Sequence, residues 1–251
     1  IYLGKYTFKM GGLMTKTAWL FPGQASQIVG MGKDLYENTK IGYEYFNIAN
    51  EIMKCDIKNI IFNGPDEELR KTQFTQPSIY IVSVILGEIL LEKGLNPHAV
   101  AGHSLGEYSA LTIAKSLNFK TGLELVKVRS QSMADAGKEE KGTMAAIVGL
   151  DDEVIFKICN DYRGHEKVVP ANYNSPGQVV ISGHDKAVEW AMNMAKERGA
   201  RMCVRLNVSG AFHSSLMQPA REKLSEVINK SAILDAAYPV YTNINATPVI
   251  K

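Results

Sequence analysis

The chain is 251 residues long, 45% hydrophobic and 22% charged, which suits one large domain, or one domain carrying a smaller insertion, around a sizeable core. Its formal net charge of +2 excludes the basic field that nucleic-acid binding draws on. Cys55, Cys159 and Cys203 are odd in number, far apart and in no CxxC or Cys/His spacing, which excludes a disulfide framework and a zinc site and points to a reducing, cytoplasmic setting.

Residues 1–13, IYLGKYTFKMGGL, have neither the compact apolar segment nor the small-residue cleavage site of a signal peptide. They read as an expression leader, with Met14 the natural start. TAWLF (17–21) predicts a first strand, stopped by Pro22 and Gly23 in the loop PGQASQ, and a helix follows from about Asp34. Tyr43, Tyr45 and Phe46 beyond it read as packing and surface residues. Gln76-Pro77 opens an apolar helix, and Gly94 to Pro97 closes it. Its most apolar run, Ile79 to Leu91, is interrupted by Ser83, Gly87 and Glu88 and is shorter than the roughly 20 residues of a membrane span, so a buried helix and no membrane partner are expected. AVAGHS then supplies a second buried strand ending in a turn. Strand, helix, strand, helix predicts a parallel α/β sheet.

Between about residues 142 and 208 the rhythm changes. TMAAIVGL predicts a strand, DDEVIFKICNDY a helix with Asp151 or Asp152 at its cap, and KVVPANYN and GQVVISG two strands joined at Ser175-Pro176. KAVEWAMNMAKERG predicts a helix and RMCVRLNV a strand. The order βαββαβ is the ferredoxin-like pattern. The expected architecture is a large α/β subdomain over 14–141 and 209–251 with a ferredoxin-like small subdomain inserted at 142–208, and a ligand cleft between them.

Gly102-His103-Ser104-Leu105-Gly106 has the GxSxG pattern of a nucleophile elbow, in which a strand turning sharply into a helix lifts the serine clear of the sheet. The glycines relieve crowding, and the helix N-terminus offers N–H groups to an oxyanion. With 21 glycines the pentapeptide arises by chance roughly 0.1 times per such chain, and a tight turn with a capping serine would look the same. The apolar strand before it and the helical run after it favour the elbow.

A nucleophilic serine needs a base near neutral pH. His103 adjoins Ser104 in a tight turn, so its side chain points elsewhere, and His98, His165 and His184 read as exposed loop histidines. His213, in NVSGAFHSSLM, follows a strand assigned to the large subdomain and precedes a helix. That places it on a connection like that of Ser104, at the carboxyl edge of the parallel sheet where α/β proteins keep their active sites. Arg129 lies in GLELVKVRSQSM. At 100° per residue from Leu125, Met133 lies at about 80°, Val126 at about 100° and Arg129 at about 40°, so Arg129 projects from the middle of an apolar face. An unpaired guanidinium is very unfavourable there, so it needs a carboxylate or phosphate from a ligand, or a structural ion pair with a buried Asp or Glu. The N–H groups of the loop FPGQASQ are placed to complete an oxyanion hole, although turn chemistry alone explains Pro22 and Gly23.

Together FPGQASQIVGMG, GHSLGEYSAL, ANYNSPGQVVISG and AFHSSLM, in this order and spacing, make the chain from about Met14 onward resemble the malonyl-CoA:acyl carrier protein transacylases. These acyltransferases of type II fatty acid synthesis are similar to the acyltransferase domains of polyketide synthases. The resemblance implies an α/β-hydrolase-like core with the ferredoxin-like insertion. It makes Ser104 the acylated nucleophile, His213 the general base and later acid, and Arg129 the grip on the free carboxylate of malonyl. It makes the backbone N–H groups of Gln24 and Leu105 the oxyanion hole. Leu105 and Phe212 resemble the malonyl-selective pattern, a bulky Phe212 crowding an α-methyl branch.

The resemblance further implies malonyl-CoA and the phosphopantetheine of acyl carrier protein as substrates, no cofactor and no metal, and a monomer. Two departures stand out. Ala25 replaces the usual glycine of FPGQGSQ, from which a negative φ is expected. The family continues past PVYTNINATPV with further helices, including a glutamine whose backbone carbonyl orients the histidine, whereas this chain ends at Lys251. The rival readings are a serine thioesterase or other hydrolase using the same pair, and an inactive fragment retaining only ligand or carrier binding.

Overall fold

A computed structural model describes residues 16–251; the proposed leader 1–13 and start at Met14 lie outside the described residues. Strand β1 (Ala18–Phe21) leads into α1 (Lys33–Asn38), α2 (Lys40–Met53), α3 (Ile57–Asn63), α4 (Asp66–Leu69) and the long α5 (Thr72–Glu92). Strand β2 (Ala99–Gly102), α6 (Gly106–Ile113) and α7 (Phe119–Glu139) follow. The second unit comprises β3 (Thr143–Val148), α8 (Asp152–Asp161), β4 (Val168–Ser175), β5 (Gln178–Gly183), α9 (Asp185–Glu197) and β6 (Met202–Arg205). Helix α10 (Gln218–Ile228) and the two-residue strands β7 (Val240–Tyr241) and β8 (Pro248–Val249) return to the first.

The large unit is built on a sheet in the order β1-β2-β7-β8, with β1, β2 and β7 parallel and β8 antiparallel at the edge. Phe21, Val100, Leu105, Ile113 and Val240 join the α5 residues Ile79 to Ile85 in its core. Phe46 is buried there, Tyr45 stacks on Phe119, and Tyr43 is exposed, the packing and surface roles expected of them.

Helix α5 starts four residues before the expected Gln76-Pro77 opening. Proline was read as a first-turn residue, but Pro77 lies inside the helix, where it leaves the Gln73 carbonyl without its usual N–H donor. The Ser130 hydroxyl of α7 reaches that carbonyl at 3.5 Å. The start is set instead by Thr75, whose N–H donates to Lys71 O and whose hydroxyl donates to Leu69 O. Gly94, at φ 75°, ends the helix: its N–H bonds to Leu91 O and that of Leu95 to Leu90 O, a Schellman motif. At 21 residues α5 is long and apolar enough to cross a bilayer, yet 67% of its most apolar window is buried inside the protein.

The small unit is an antiparallel sheet ordered β4-β5-β3-β6, with α8 and α9 packed on one face around Ile147, Ile155, Val179, Ile181 and Val188. Asp151 occupies the α8 cap position without a side-chain bond. A third apolar cluster, Met133, Met144, Val180, Phe212 and Met217 among its members, joins α7 to the other face of this sheet. The space between the units opens beside it.

Candidate active site

Three adjacent parallel strands end on the same side of the large sheet. Phe21 of β1 pairs with Gly102 of β2, and Ala101 of β2 with Tyr241 of β7, so the segments beginning at Pro22, His103 and Thr242 emerge together. Carboxyl ends of parallel strands are where α/β folds gather ligands. The first two loops touch: His103 N–H donates to Phe21 O at 2.9 Å, and a Cβ on Gly23 would meet His103 O at 2.6 Å. Cβ atoms on Gly102 and Gly106 would collide with the Gly106 and Phe21 backbones respectively. Both glycines of GxSxG are therefore fixed by close backbone approach. Ser104 between them has φ 50°, the left-handed turn that projects its hydroxyl from the sheet edge.

The Ser104 hydroxyl has two partners. His213 Nε2 lies 2.9 Å from Oγ, and Arg129 Nη2 donates to the same oxygen at 2.9 Å. Arginine can only donate, so Oγ accepts there and its own proton points to His213. This requires Nε2 unprotonated. The imidazole pKa is pulled from the ordinary 6.5 down to about 4, first by burial, then by positive Arg129 and by His103, although the residue as a whole is exposed where it lines the cleft. His213 is thus neutral at physiological pH. Among the described residues no carboxylate hydrogen-bonds to its ring.

His213 arrives by a different route from the one expected. The strand before it, β6, is the edge of the small antiparallel sheet, and not a strand of the large subdomain. The histidine lies on the return from that sheet, at φ 60°, just before the single 3-10 turn Ser215–Met217. The βαββαβ order places RMCVRLNV in the small unit, and its pairing with β3 bears that out; what is corrected is the placing of His213 directly after a strand of the large sheet.

Arg129 is 9% exposed on α7, and burial lowers its pKa. Of the two ways to satisfy it, the structural ion pair is not taken: its Nη1 donates to Gln76 Oε1, and its guanidinium carbon lies 5.8 Å from the Tyr108 ring centre. Gln76 is buried on α5 and is held in turn by Met133 Sδ at 3.5 Å. The hydrogen-bond partners of Arg129 are neutral, and the Glu107 carboxylate acts on it only through space without a salt bridge, so its N–H groups remain available to an anion entering the cleft.

That cleft has a volume of about 580 Å³. Ser104, His213 and Arg129 form its polar floor, with Phe212, Met133, Met144 and Val180 as an apolar wall. Gln24 and Leu105 also line it, and among the described residues neither backbone N–H donates to a protein acceptor. Such N–H groups are the requirement of an oxyanion hole. Every side chain singled out from the sequence for this chemistry meets in the one cavity.

Other expectations are corrected. Ala25 has φ 83°, not a negative value. The turn demands the left-handed conformation whichever residue fills it, because Ala25 N–H reaches Gln27 Oε1 at 2.9 Å and Ser26 Oγ reaches Gly23 O at 2.8 Å. His103 does point away from Ser104, to Asn174 Oδ1 of the small unit at 3.0 Å. His98 and His165 are exposed as expected, but His184 is half-buried, accepting from Lys167 N–H at Nδ1 and meeting Glu140 through Nε2. Gln76, Glu107, Asn174 and Asn243 all contact the site or its supports and were not singled out from sequence. Gln76 stands among Gln73, Thr75 and Ser78 and carries no signal of its own, and Asn243 follows a two-residue strand that carries no periodic signal.

Comparison with known proteins gives a consistent result. The family model described as acyl transferase domain matches residues 18–249. A malonyl CoA-acyl carrier protein transacylase of Bacillus subtilis is 44% identical over 234 residues, covering 93% of this chain and 74% of its own length. The structure of the malonyl CoA-acyl carrier protein transacylase from Coxiella burnetii superposes with a TM-score of 0.89 at 39% identity, over 94% of this chain and 75% of that one. A malonyl-transacylase solved in complex with its type II polyketide acyl-carrier protein has a TM-score of 0.89 at 39% identity, over 94% and 77% of the two chains.

Proposed function

For this chain, which belongs to the malonyl CoA-acyl carrier protein transacylases of the acyl transferase family, we propose that Ser104 carries the malonyl group between donor and acceptor. The enzyme is an acyltransferase that transfers malonyl for fatty acid synthesis. The observation that carries the residue assignment is the position of Ser104 Oγ, 2.9 Å from a neutral imidazole and 2.9 Å from a guanidinium that forms no salt bridge among the described residues.

In the first half-reaction Ser104 Oγ attacks the thioester carbonyl carbon of malonyl-CoA while its proton passes to His213 Nε2. The oxyanion is held by the backbone N–H groups of Gln24 and Leu105, each such donor being worth roughly 3–4 kcal/mol. The C–S bond breaks, and the departing sulfur takes the proton from the imidazolium. In the second, the phosphopantetheine thiol of acyl carrier protein gives its proton to His213 and attacks the malonyl ester, and Ser104 recovers its proton as it leaves. Arg129 turns from Ser104 to the free carboxylate of the incoming malonyl group. Phe212 and Leu105 close the space beside its α-carbon and select against a methyl branch.

No cofactor or metal has a part in these steps. The same reading puts the enzyme in the cytoplasm as a monomer, with malonyl-CoA and acyl carrier protein as partners and no nucleic acid or membrane; its three free cysteines support the reducing setting.

The test is to incubate the protein with malonyl-CoA, without carrier protein, and record its intact mass. A malonyl adduct on Ser104, discharged by added acyl carrier protein as malonyl carrier, is expected. Rapid CoA release yielding only free malonate would identify a hydrolase, and no adduct would identify a binding fragment.

A further inference from the structure

Asn243 lies at the carboxyl end of β7, the third of the strands whose ends meet at the site. Its Oδ1 accepts the backbone N–H of Ser104 itself at 2.8 Å. Its Nδ2 donates to Gly102 O at 2.7 Å and to Glu107 Oε2 at 2.7 Å, and its backbone N–H reaches Glu107 Oε1 at 3.4 Å. One amide thus binds the elbow on both sides of the serine, across 139 residues of sequence. Only a side chain with an acceptor and a double donor on one carbon can make these contacts, and turning the amide over would set NH2 against the Ser104 N–H.

Glu107 fixes that orientation. It stands on the first turn of α6, both its carboxylate oxygens accept from Asn243, and among the described residues it forms no salt bridge, positive Arg129 acting on it only through space. The turn being held is a strained one, since Ser104 has a positive φ without being glycine. Released, the serine backbone would relax, and Oγ would leave the 2.9 Å positions it shares with His213 and Arg129.

We propose that Asn243, oriented by Glu107, is a positioning residue that holds the Ser104 elbow in its reactive conformation. It touches neither substrate nor the reacting atoms. The proposal rests on Ser104 being the acyl carrier.

The experiment follows formation of the malonyl-Ser104 adduct by rapid quench and intact mass at saturating malonyl-CoA, with KM and the melting temperature measured beside it. Asn243→Ala is expected to slow acylation about 10- to 100-fold, the scale of a displacement near 1 Å, with KM changed less than about two-fold. Asn243→Asp has the same shape, still accepts from Ser104 N–H, but cannot donate to Gly102 O and opposes the Glu107 carboxylate. It is expected to fold and to be similarly slow. In the double variant Asn243→Asp with Glu107→Gln, the new amide donates to the new carboxylate, and most of the rate returns.

Wild-type acylation in Asn243→Asp, or a folded double variant no faster than Asn243→Asp, would overturn the proposal while leaving Ser104 as acyl carrier. A wild-type chain that takes up no malonyl would remove both.

Discussion

Arg129 Nη2 donates to Ser104 Oγ at 2.9 Å, so the cation that is to read the acyl carboxylate rests on the nucleophile itself. In the proposed mechanism an incoming malonyl carboxylate takes over that N–H and frees Oγ for attack. Acetyl offers no carboxylate and leaves the guanidinium where it is. On that mechanism substrate selection and activation are linked through one hydrogen bond.

Arg129→Ala is expected to reduce malonyl loading far more than acetyl loading. Losing one partner of a buried charge pair costs about 2–5 kcal/mol, or roughly thirty-fold to several thousand-fold. Competition between malonyl-CoA and acetyl-CoA, read as the ratio of the two adduct masses, measures it. Equal losses for both acyl groups would refute the carboxylate-binding role.

The depressed His213 pKa has a defined signature. Its base form is complete at pH 7, so the acylation rate should stay level as pH falls through 6 and decline with a midpoint near 4. Arg129→Gln removes the positive neighbour, and the midpoint should rise toward 6.5. The linkage has the same sign: between about 4 and 6.5 the unfolded chain binds more protons at this histidine than the folded one. This group's contribution to stability is therefore complete above 6.5, decreases as pH falls toward 4, and is gone below it. A histidine NMR titration of wild type and Arg129→Gln checks both; a His213 midpoint that Arg129→Gln leaves in place would contradict the electrostatic account.

Ala25→Gly should stabilise the fold. A left-handed alanine costs about 1–2 kcal/mol relative to glycine, and glycine's greater freedom in the unfolded chain returns about 0.4–1 of that. A net gain of about 0.5–1 kcal/mol is expected, or roughly 1–4 °C in melting temperature. Thermal denaturation decides: an unchanged or lower melting temperature would show that the φ of 83° carries no strain.

How far the site could be read from sequence differs residue by residue. Ser104 was legible because strand, glycine turn and helix are contiguous, and Arg129 because helical periodicity alone puts it on an apolar face. His213 was identified as a loop histidine, but its assignment to a large-sheet connection failed: the strand before it completes the βαββαβ unit, and the chain returns from that sheet through the histidine. Gln76 was taken for a helix boundary on account of Pro77, which hid its place one turn inside a buried helix. Ala25 was misread because residue identity does not set φ when surrounding hydrogen bonds do. Asn243 was beyond reach, since the two-residue strand β7 exists only through its pairing with β2 and β8.

Gln76 supplies the last prediction. Its Oε1 takes one Arg129 N–H without neutralising the charge, and the two side chains lie together in the buried wall between α5 and α7. Gln76→Glu keeps the shape and adds a carboxylate that competes with malonyl for the guanidinium. A hydrogen bond to a charged group is worth about 1.5–3 kcal/mol, so KM for malonyl-CoA should rise roughly ten- to a hundred-fold. Acetyl-CoA, which makes no use of the charge, should be affected far less. Steady-state kinetics with both thioesters separate the cases. A parallel rise in both KM values would mean that the substitution distorts the cleft, whereas a rise confined to malonyl-CoA would show that selectivity depends on Arg129 having a neutral neighbour.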